Sequence, residues 1–344
     1  MQIGVLEGDG IGPEIVPMSR RCVEATNADV TFLELPVGYE AYEKHGSSVP
    51  ESSVTRLAEC DGWILGPTMA GEYPEADEAP MNPSGLLRKR YDLYANVRPV
   101  RSYEGIGPPG MDLTIFRQNT EGFYSDRNMF RGQGQFMPTE DVALSTRVVT
   151  RMECRRIAEA AFEFASCNDM DVTAVHKANV LDQGDGMFLE ACQSVGAEYS
   201  DVDLKSTLVD AFAMELVRDP TAHDVVVTTN LYGDILSDEA AGVVGSLGLA
   251  PSINYGDEHA MAQAAHGAAP DIAGEGVANP VAMILSTAML LDWLGNQGHA
   301  DADTAATRIR NAVQRTLKDI RTPDIGGDAS TEAFTDAVVD AIKE

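Results

Sequence analysis

Short apolar segments alternate with segments of helical periodicity along most of the chain. Residues 2–7 and 29–35 have the spacing of strands, and residues 12–27 carry apolar side chains at helical intervals. Residues 54–60 lead into a short apolar segment at 63–65, which predicts a buried strand. This alternation is the βαβ rhythm of an open α/β sheet.

The same rhythm continues through the middle of the chain, and the last hundred residues are mostly helical. The predicted strands are 111–116, 171–176 and 224–229. The predicted helices are 142–164, a segment after residue 176, 210–218, 235–244, 282–293 and 304–319. Clusters of proline and glycine at 105–110 and 245–251 are candidate crossings between two domains.

The composition is that of a globular and strongly acidic protein. The 344 residues are 44% apolar, and 54 acidic against 25 basic residues give a formal charge of −29. Non-specific binding to nucleic acid or to an anionic membrane needs a basic face, so the charge argues against both partners. The longest apolar run, 281–291, contains Ser286 and Thr287 and falls short of the ~18 residues of a membrane span.

The sequence also indicates the environment of the protein. No basic segment precedes apolar residues 3–6, so we expect no signal peptide. Five cysteines without a Cys-x-x-Cys pair predict neither a disulfide framework nor a zinc site, which is typical of the reducing cytoplasm. Only six of the basic residues are lysine. A lysine-poor acidic surface predicts a halophilic protein, and an ordinary acidic bacterial protein is the alternative.

Several familiar motifs are missing or misplaced. Residues 105–110 match Gly-x-Gly-x-x-Gly, but polar residues precede them, two prolines interrupt them and a strand follows, so they are not a dinucleotide fingerprint. The sequence has neither a P-loop nor a Gly-x-Ser-x-Gly elbow. His259 and His266 have no third ligand nearby in the sequence, which argues against zinc.

Four other features are candidates for chemistry. The glycine-rich turn 8–14 lies between the first strand and the first helix and allows close backbone approach, although it could be only a tight turn. Arg88, Arg98 and Arg117 could clamp carboxylates, with ordinary surface ion pairing as the alternative. Lys177 ends an apolar strand, where it is either an acid–base group or a solvated loop lysine.

Asp234 and Asp238 are the fourth feature. They lie four residues apart on one helical face, just after a strand, where open sheets place ligands. About eight such acidic pairs are expected by chance in so acidic a chain, so the position after the strand carries more weight than the spacing. Oxygen ligands alone favour Mg²⁺ or Mn²⁺ over zinc.

Taken together, the motifs resemble the β-decarboxylating dehydrogenases, the family of 3-isopropylmalate and isocitrate dehydrogenases. The resemblance runs nearly end to end and rests on six segments in order. They are Gly-Asp-Gly-Ile-Gly-Pro-Glu at 8–14, Leu-Tyr-Ala-Asn-Val-Arg-Pro at 93–99, Asn-Thr-Glu-Gly-Phe-Tyr at 119–124, His-Lys-Ala-Asn-Val at 176–180, Asn-Leu-Tyr-Gly-Asp-Ile-Leu-Ser-Asp at 230–238, and 266–274 with 278–280.

The resemblance implies a two-domain open α/β sheet of the isopropylmalate and isocitrate dehydrogenase type, not a Rossmann dinucleotide fold. A discontinuous first domain, 1–100 with 250–344, would lie on the cofactor side. A second domain, 101–249, would carry the dimer contact and the metal and catalytic residues. The implied protein is a homodimer, or a higher oligomer of dimers, with shared active sites.

The resemblance also implies a role for each candidate residue. Ser84, Arg88, Arg98 and Arg117 would bind substrate. Asp234 and Asp238 would ligate Mg²⁺ or Mn²⁺ together with Asp210 of the partner subunit. Tyr124 would protonate the enol, and Lys177 of the other subunit would assist deprotonation of the C2 hydroxyl. His266, Gly267, Asp271, Ile272 and Asn279 would bind the cofactor.

The cofactor expected from the resemblance is NAD. NADP-dependent relatives usually place lysine and tyrosine where this chain has Asp271 and Ile272. Aspartate would accept hydrogen bonds from free ribose hydroxyls and repel a 2′-phosphate. A purely structural role for Asp271, capping the next helical turn, is the alternative.

The expected activity is NAD-dependent oxidative decarboxylation of a 3-substituted malate, and 3-isopropylmalate is the favoured substrate. Ser84 and Gly85 stand where isopropylmalate enzymes usually have bulky apolar residues, so isocitrate, homoisocitrate, D-malate and tartrate remain alternatives. Residues 70–81 match neither subgroup, and Gln118 stands where glutamate is common. There are two alternatives from other classes. One is a non-catalytic homologue that binds a dicarboxylate or NAD, and the other is a metal-dependent hydrolase.

Overall fold

The computed structural model describes residues 1–69, 71–73, 82–124, 128–129 and 134–344. Its strands are β1 (Gln2–Leu6), β2 (Thr31–Glu34), β3 (Gly62–Leu65), β4 (Ala95–Arg101), β5 (Asp112–Gln118), β6 (Gln135–Thr139), β7 (Val142–Ser145), β8 (Val172–His176), β9 (Leu204–Leu208), β10 (Val225–Thr228), β11 (Ile253–Tyr255) and β12 (Ala260–Ala262). Its helices are α1 (Gly12–Ala25), α2 (Gly38–His45), α3 (Glu51–Leu57), α4 (Pro83–Arg90), α5 (Arg151–Asn168), α6 (Gly184–Gly196), α7 (Val209–Arg218), α8 (Asn230–Val244), α9 (Val281–Asn296), α10 (Ala302–Asp319) and α11 (Thr331–Lys343). The α/β class predicted from the periodicity is confirmed.

The chain forms two compact units. The first comprises residues 1–91, 103–109 and 245–344, and the second comprises 92–102 and 110–244. The predicted division placed residues up to 100 in the first domain. Strand β4 instead belongs to the second unit, because it pairs with β5 along seven residues.

In the first unit, the strands lie in the order β2, β1, β3, β12, β11. The first four are parallel and β11 is antiparallel to β12. Helix α9 is buried along most of its length and packs on α1 and α10. Burial of the whole helix explains the apolar run 281–291, since a helix covered on every side has no polar face.

In the second unit, the strand order is β4, β5, β10, β8, β9. Strand β4 is antiparallel to β5, and the other four strands are parallel. Helices α5 and α6 pack together, and α5 covers β5 and β10. The carboxyl ends of β5, β10, β8 and β9 therefore lie side by side at one edge of this sheet.

The prediction of helix over 142–164 was wrong at its start. Residues Val142–Ser145 form β7, which pairs with β6 in an antiparallel hairpin. Helix α5 begins only after Thr150, whose hydroxyl accepts a hydrogen bond from the Glu153 amide at 3.3 Å and so caps the helix. The alternating Val-Ala-Leu-Ser segment is compatible with either period, and pairing with β6 decides for the strand.

Two expectations, about membrane-spanning helices and about the cysteines, can be compared with the structure. In the described part of the chain, every helix is too short or too polar to cross a bilayer. All five cysteines are free thiols in the structure, and four of them are buried.

Candidate active site

The expected catalytic residues of the second unit follow the carboxyl ends of its parallel strands. Arg117 is the last residue but one of β5. Helix α8, which carries Asp234, starts two residues after β10. Lys177 directly follows β8, and Asp210 is the second residue of α7, which directly follows β9. The sheet order therefore places these residues at one edge, although they are distant in sequence.

Two buried arginines converge on one carboxylate. The Nη1 atom of Arg117 lies 2.5 Å from Oδ1 of Asp234, and Nη2 of Arg98 lies 3.3 Å from the same oxygen. Arg98 Nη1 is 3.5 Å from Oδ1 of Asp238. The arginine side chains are 3% and 6% exposed, whereas those of Asp234 and Asp238 are 37% and 53% exposed. The carboxylates thus remain accessible to a ligand, while the arginines are buried beneath them.

Asn230 fixes the orientation of Arg117. Its Oδ1 accepts hydrogen bonds from Nε and Nη2 of Arg117 at 3.0 and 2.7 Å, and its backbone oxygen accepts a third at 2.9 Å. Gly233 makes this approach possible, because a Cβ there would lie 2.6 Å from Cγ of Arg117. Asn230 is completely buried. Its positioning role was not predicted, although it belongs to one of the six family-like segments.

Arg98 is held in a similar way. Its Nε donates to Oδ1 of Asn96 and its Nη1 donates to the Ser237 hydroxyl, both at 2.7 Å. Burial, together with the nearby positive charge of Arg117, lowers the pKa of Arg98 to about 10. A guanidinium with this pKa stays charged at neutral pH. Sequence spacing alone held no signal for the contact with Ser237.

The Tyr124 hydroxyl donates a hydrogen bond to Oδ2 of Asp234 at 3.1 Å, and the Arg117 guanidinium lies 5.7 Å from the centre of its ring. Asp238 is the other carboxylate of the cluster. Burial and the charge of Asp234 raise its pKa against the opposing effect of Arg98. Arg98, Arg117, Tyr124, Asp234 and Asp238 thus form one group, which we call the carboxylate cluster.

Lys177 and Asp210 form a separate ion pair between Lys177 Nζ and Asp210 Oδ1. The hydrogen bond from Lys177 lowers the pKa of Asp210. Among the described residues, no three His, Cys, Asp or Glu side chains are placed to hold a metal ion together. Within one described chain, Asp210 therefore does not complete a metal site with Asp234 and Asp238.

Asp185 holds the backbone of Lys177. Its Oδ2 accepts the Lys177 backbone N–H at 2.5 Å, and its Oδ1 lies 2.5 Å from Nη1 of Arg147. Asp185 is fully buried, and the ion pair with Arg147 offsets part of the cost of burying its charge. No sequence motif pointed to Asp185 or Arg147, because their contact depends on how α6 packs beside the end of β8.

In the first unit, the other two predicted substrate residues share one partner. The Ser84 hydroxyl donates to Oε1 of Gln263 at 2.7 Å, and Arg88 Nη2 donates to the same oxygen at 3.2 Å. Helix α4 carries both side chains on one face at i and i+4, and Asn82 caps that helix by accepting the Ser84 amide at 3.0 Å. Gln263, directly after β12, was not predicted. Residues 70 and 74–81 of the unmatched segment lie outside the described residues.

The predicted cofactor residues follow β12. Gly267 and Asp271 are exposed, and Ile272 is half-buried. The His266 ring nitrogen Nδ1 lies 3.0 Å from the Gly267 oxygen, and Nε2 is buried without a hydrogen-bond partner among the described residues. Burial lowers the pKa of His266, which favours the neutral form of the ring. Asn279 is buried and donates from Nδ2 to Asp324 at 3.0 Å.

The chemistry of these groups suits the ligands that the sequence predicted. Asp234 and Asp238 offer partly exposed carboxylate oxygens, the donors that Mg²⁺ and Mn²⁺ prefer. If Nδ1 of His266 carries the proton and donates to Gly267, its buried Nε2 is an unused acceptor for an adenine amino group.

Comparison with known proteins establishes the family. The chain matches the family model described as isocitrate/isopropylmalate dehydrogenase over residues 2–342. It therefore belongs to that dehydrogenase family, and the resemblance inferred from the six segments is confirmed.

Relatives within the family act on different acids. The isocitrate/homoisocitrate dehydrogenase of Thermus thermophilus is 45% identical over 347 residues, covering 99% of this chain and 98% of the relative. The 3-isopropylmalate/3-methylmalate dehydrogenase of Methanocaldococcus jannaschii is 38% identical over 351 residues, covering 100% and 99%. The crystal structure of isocitrate dehydrogenase from Methylococcus capsulatus superposes with a TM-score of 0.90 at 37% identity, covering 100% and 99%.

Proposed function

We propose that this chain catalyses the oxidative decarboxylation of a 3-substituted malate, with NAD⁺ as hydride acceptor and Mg²⁺ or Mn²⁺ as a required cation. The observation that carries the proposal is the carboxylate cluster, in which Arg98 and Arg117 converge on Asp234 beside the Tyr124 hydroxyl. Membership of a dehydrogenase family supports the reaction class.

Charge balance in the carboxylate cluster supports a dication and a dicarboxylate together. Arg98 and Arg117 contribute two positive charges, and Asp234 and Asp238 contribute two negative ones. A dication bound by the aspartates would leave two guanidinium charges uncompensated. A substrate with two carboxylates restores neutrality and accepts charge-assisted hydrogen bonds from both arginines.

The residues then have the following roles. A bound cation would polarise the C2 oxygen, and NAD⁺ would accept hydride from C2. Lys177 takes the proton of the C2 hydroxyl, and Tyr124 gives a proton to C3 once the carboxyl group on C3 has left as CO₂. Arg98 and Arg117 hold the two malate carboxylates, of which the one on C3 leaves as CO₂. The products are a 2-oxo acid, CO₂ and NADH.

Two chains would share each site. Lys177 and Asp210 pair with each other, which suits their joint insertion beside the carboxylate cluster of a second copy. Exposed apolar side chains in the second unit support an oligomer: Met214, Val217 and Ile235 on α7 and α8 are 51%, 63% and 58% exposed. Exposed apolar patches of this kind mark protein–protein contacts.

For the substituent on C3, we propose a polar group. Ser84 and Arg88 share Oε1 of Gln263 as a hydrogen-bond acceptor, so polar atoms lie beside Arg88 where an isopropyl group would need apolar contacts. A carboxylated substituent, as in isocitrate or homoisocitrate, would accept hydrogen bonds from Arg88 and Ser84. The isocitrate/homoisocitrate relative at 45% identity agrees with this preference. We therefore place the tricarboxylates ahead of 3-isopropylmalate, the substrate that the sequence favours.

A comparison of kcat/KM tests the proposal directly. NADH formation is followed with Mg²⁺ in molar KCl for isocitrate, homoisocitrate, 3-isopropylmalate, D-malate and tartrate. We expect the two tricarboxylates to rank first. If none of the acids reduces NAD⁺ or NADP⁺, the proposed reaction is refuted, and if isopropylmalate ranks first, only the choice of substituent is wrong.

A variant sharpens the assignment of the substituent. Ser84→Leu should lower the ratio of kcat/KM for homoisocitrate to that for isopropylmalate by about 10-fold or more, because it exchanges a hydroxyl donor for an apolar contact. The ratio serves as its own control, since a general loss of activity affects both substrates equally. An unchanged ratio would remove Ser84 from the substrate pocket.

A further inference from the structure

A carboxylate from the first helix holds the glycine-rich end of the predicted cofactor loop. Glu14, in the first turn of α1, accepts the backbone N–H of Gly274 at Oε1 and that of Gly276 at Oε2, the latter at 3.1 Å. The partners are 260 and 262 residues away in sequence. One carboxylate therefore satisfies two loop amides that belong to no helix or strand.

The loop needs such a restraint because of its backbone. Gly274 and Gly276 have φ values of 84° and 67°, and Ala269 has a φ of 40°, which is unfavourable for a residue with a Cβ. Glycine loses the most backbone freedom when it is fixed in one conformation. Holding the loop in this form thus costs free energy that contacts from outside the loop must offset.

The same turn makes a second contact with the loop. The Ile11 amide donates to the Ala268 oxygen at 2.9 Å, and a Cβ on Gly10 would lie only 2.0 Å from that oxygen. The glycine-rich turn 8–14 therefore packs on the loop from Ala268 to Gly276, which contains Asp271 and Ile272. The absence of a Cβ at residue 10 allows this contact, which gives the turn a role that its sequence left open.

We propose that Glu14 is a positioning residue for dinucleotide binding: it holds the loop 266–276 in the conformation that presents Asp271 and Ile272 to the adenosine half of the cofactor. The inference rests on the proposed function for the identity of the ligand. Glu14 touches the loop backbone and acts through it. Without Glu14, the loop has to be ordered when the cofactor binds, and this ordering costs free energy. The affinity for the cofactor therefore falls, while the chemical step is unaffected.

Glu14→Gln tests this role. The glutamine side chain has one acceptor oxygen and one NH₂ group. The NH₂ group is a donor and cannot accept a hydrogen bond from a backbone N–H, so at least one hydrogen bond to the loop is lost. Glu24→Gln is the matched control, since it removes the same charge from the same helix, where Glu24 pairs with Arg20 at the surface. Glu14→Asp, which keeps the charge but shortens the reach by one methylene, is a second variant in case glutamine impairs folding.

Three quantities are measured for each protein: hydrogen exchange at Gly274 and Gly276, the Kd for NADH and NAD⁺ by calorimetry, and kcat separately from KM for NAD⁺. We expect faster exchange at both glycines, a Kd and KM raised about tenfold, the size of one charge-assisted hydrogen bond, and an almost unchanged kcat in Glu14→Gln. Glu14→Asp should lie between it and the wild type, and Glu24→Gln should match the wild type.

The outcomes separate the two proposals. A wild type that binds neither NAD(H) nor NADP(H) refutes the proposed function and this inference with it. A wild type that binds either dinucleotide, with a variant Kd unchanged or with an equal loss in Glu24→Gln, refutes the role of Glu14 alone. A fall in kcat with unchanged KM would also refute it, because it would place the effect of Glu14 in the chemical step.

Discussion

Lys177 and Asp210 form an ion pair at the carboxyl ends of the neighbouring strands β8 and β9. This ion pair lowers the pKa of Asp210 and so favours its ionised form. A lysine that acts as a base must first lose its own proton. If Asp210 turned to a bound cation, the lysine would lose its counter-charge. We therefore expect the two residues to act as one unit at the carboxylate cluster of the proposed site.

Hybrid dimers test whether that cluster belongs to a second chain. Tyr124→Phe and Lys177→Met each lack one proton-transfer group, so each should be nearly inactive alone. After subunit exchange, about half of the dimers are hybrids with one intact site, and we expect about a quarter of wild-type activity. Exchange is verified by mass spectrometry of differently tagged chains. No recovery despite complete exchange would contradict a shared site.

The donor set of the carboxylate cluster predicts that activity requires a divalent cation. Asp234→Asn removes a charged ligand and should lower kcat/KM about a thousandfold, in line with several kcal/mol of lost transition-state stabilisation. Glu239→Gln, one residue beyond Asp238 on α8, removes a carboxylate outside the cluster and should retain activity. Circular dichroism checks that both variants fold. Undiminished turnover after exhaustive chelation would exclude a metal from the reaction.

We expect the choice of cofactor to depend on the exposed side chain of Asp271. Asp271→Lys with Ile272→Tyr replaces a carboxylate by a cation and a hydroxyl donor, so the ratio of kcat/KM for NADP⁺ to that for NAD⁺ should rise at least about tenfold. Screening weakens charge repulsion more than hydrogen bonding, so the wild-type preference for NAD⁺ should narrow in molar salt but persist. A wild type that prefers NADP⁺ would show that Asp271 has another role.

Stability should depend on salt. With a formal charge of −29, carboxylate repulsion acts over ~30 Å at 0.01 M salt but only ~3 Å at 1 M. We expect the melting temperature to rise markedly between dilute buffer and molar KCl, and the dimer to dissociate in dilute buffer. Thermal melts and sedimentation in the two media give the answer. Equal stability in both would speak for an ordinary acidic protein.

Thiol reactivity should distinguish Cys167 from the other four cysteines. Cys167 is exposed, whereas burial raises the pKa of Cys22 and Cys154 to about 12 and also raises that of Cys60 and Cys192. The thiolate is the reactive form of cysteine. At a pH close to the ordinary cysteine pKa of about 8.5, the buried thiols therefore stay protonated and unreactive. A colorimetric disulfide reagent should titrate one thiol in the native wild type and none in Cys167→Ser. Denaturant should expose all five.

Local features of the sequence determined several of the elements and most of the candidate residues. Periodicity alone placed β1, α1, β8 and β10 nearly to the residue, because a face buried every second or every 3.6 residues leaves its period in the chain. The four-residue spacing of Asp234 and Asp238 likewise placed two carboxylates on one helical face. Where a segment fits both periods, as at 142–145, the sequence predicted the wrong element.

Tertiary structure decided which of these residues meet. The order β5, β10, β8, β9 differs from chain order, and it is this lateral order that brings Arg117 to Asn230 and pairs Lys177 with Asp210. Asp185, which supports Lys177, belongs to no motif of the sequence. Glu14, which supports the predicted cofactor loop, ends the segment 8–14, but the sequence held no signal for its contact with that loop. Their partners are fixed by packing of helices against strand ends, and that packing depends on contacts far apart in the sequence.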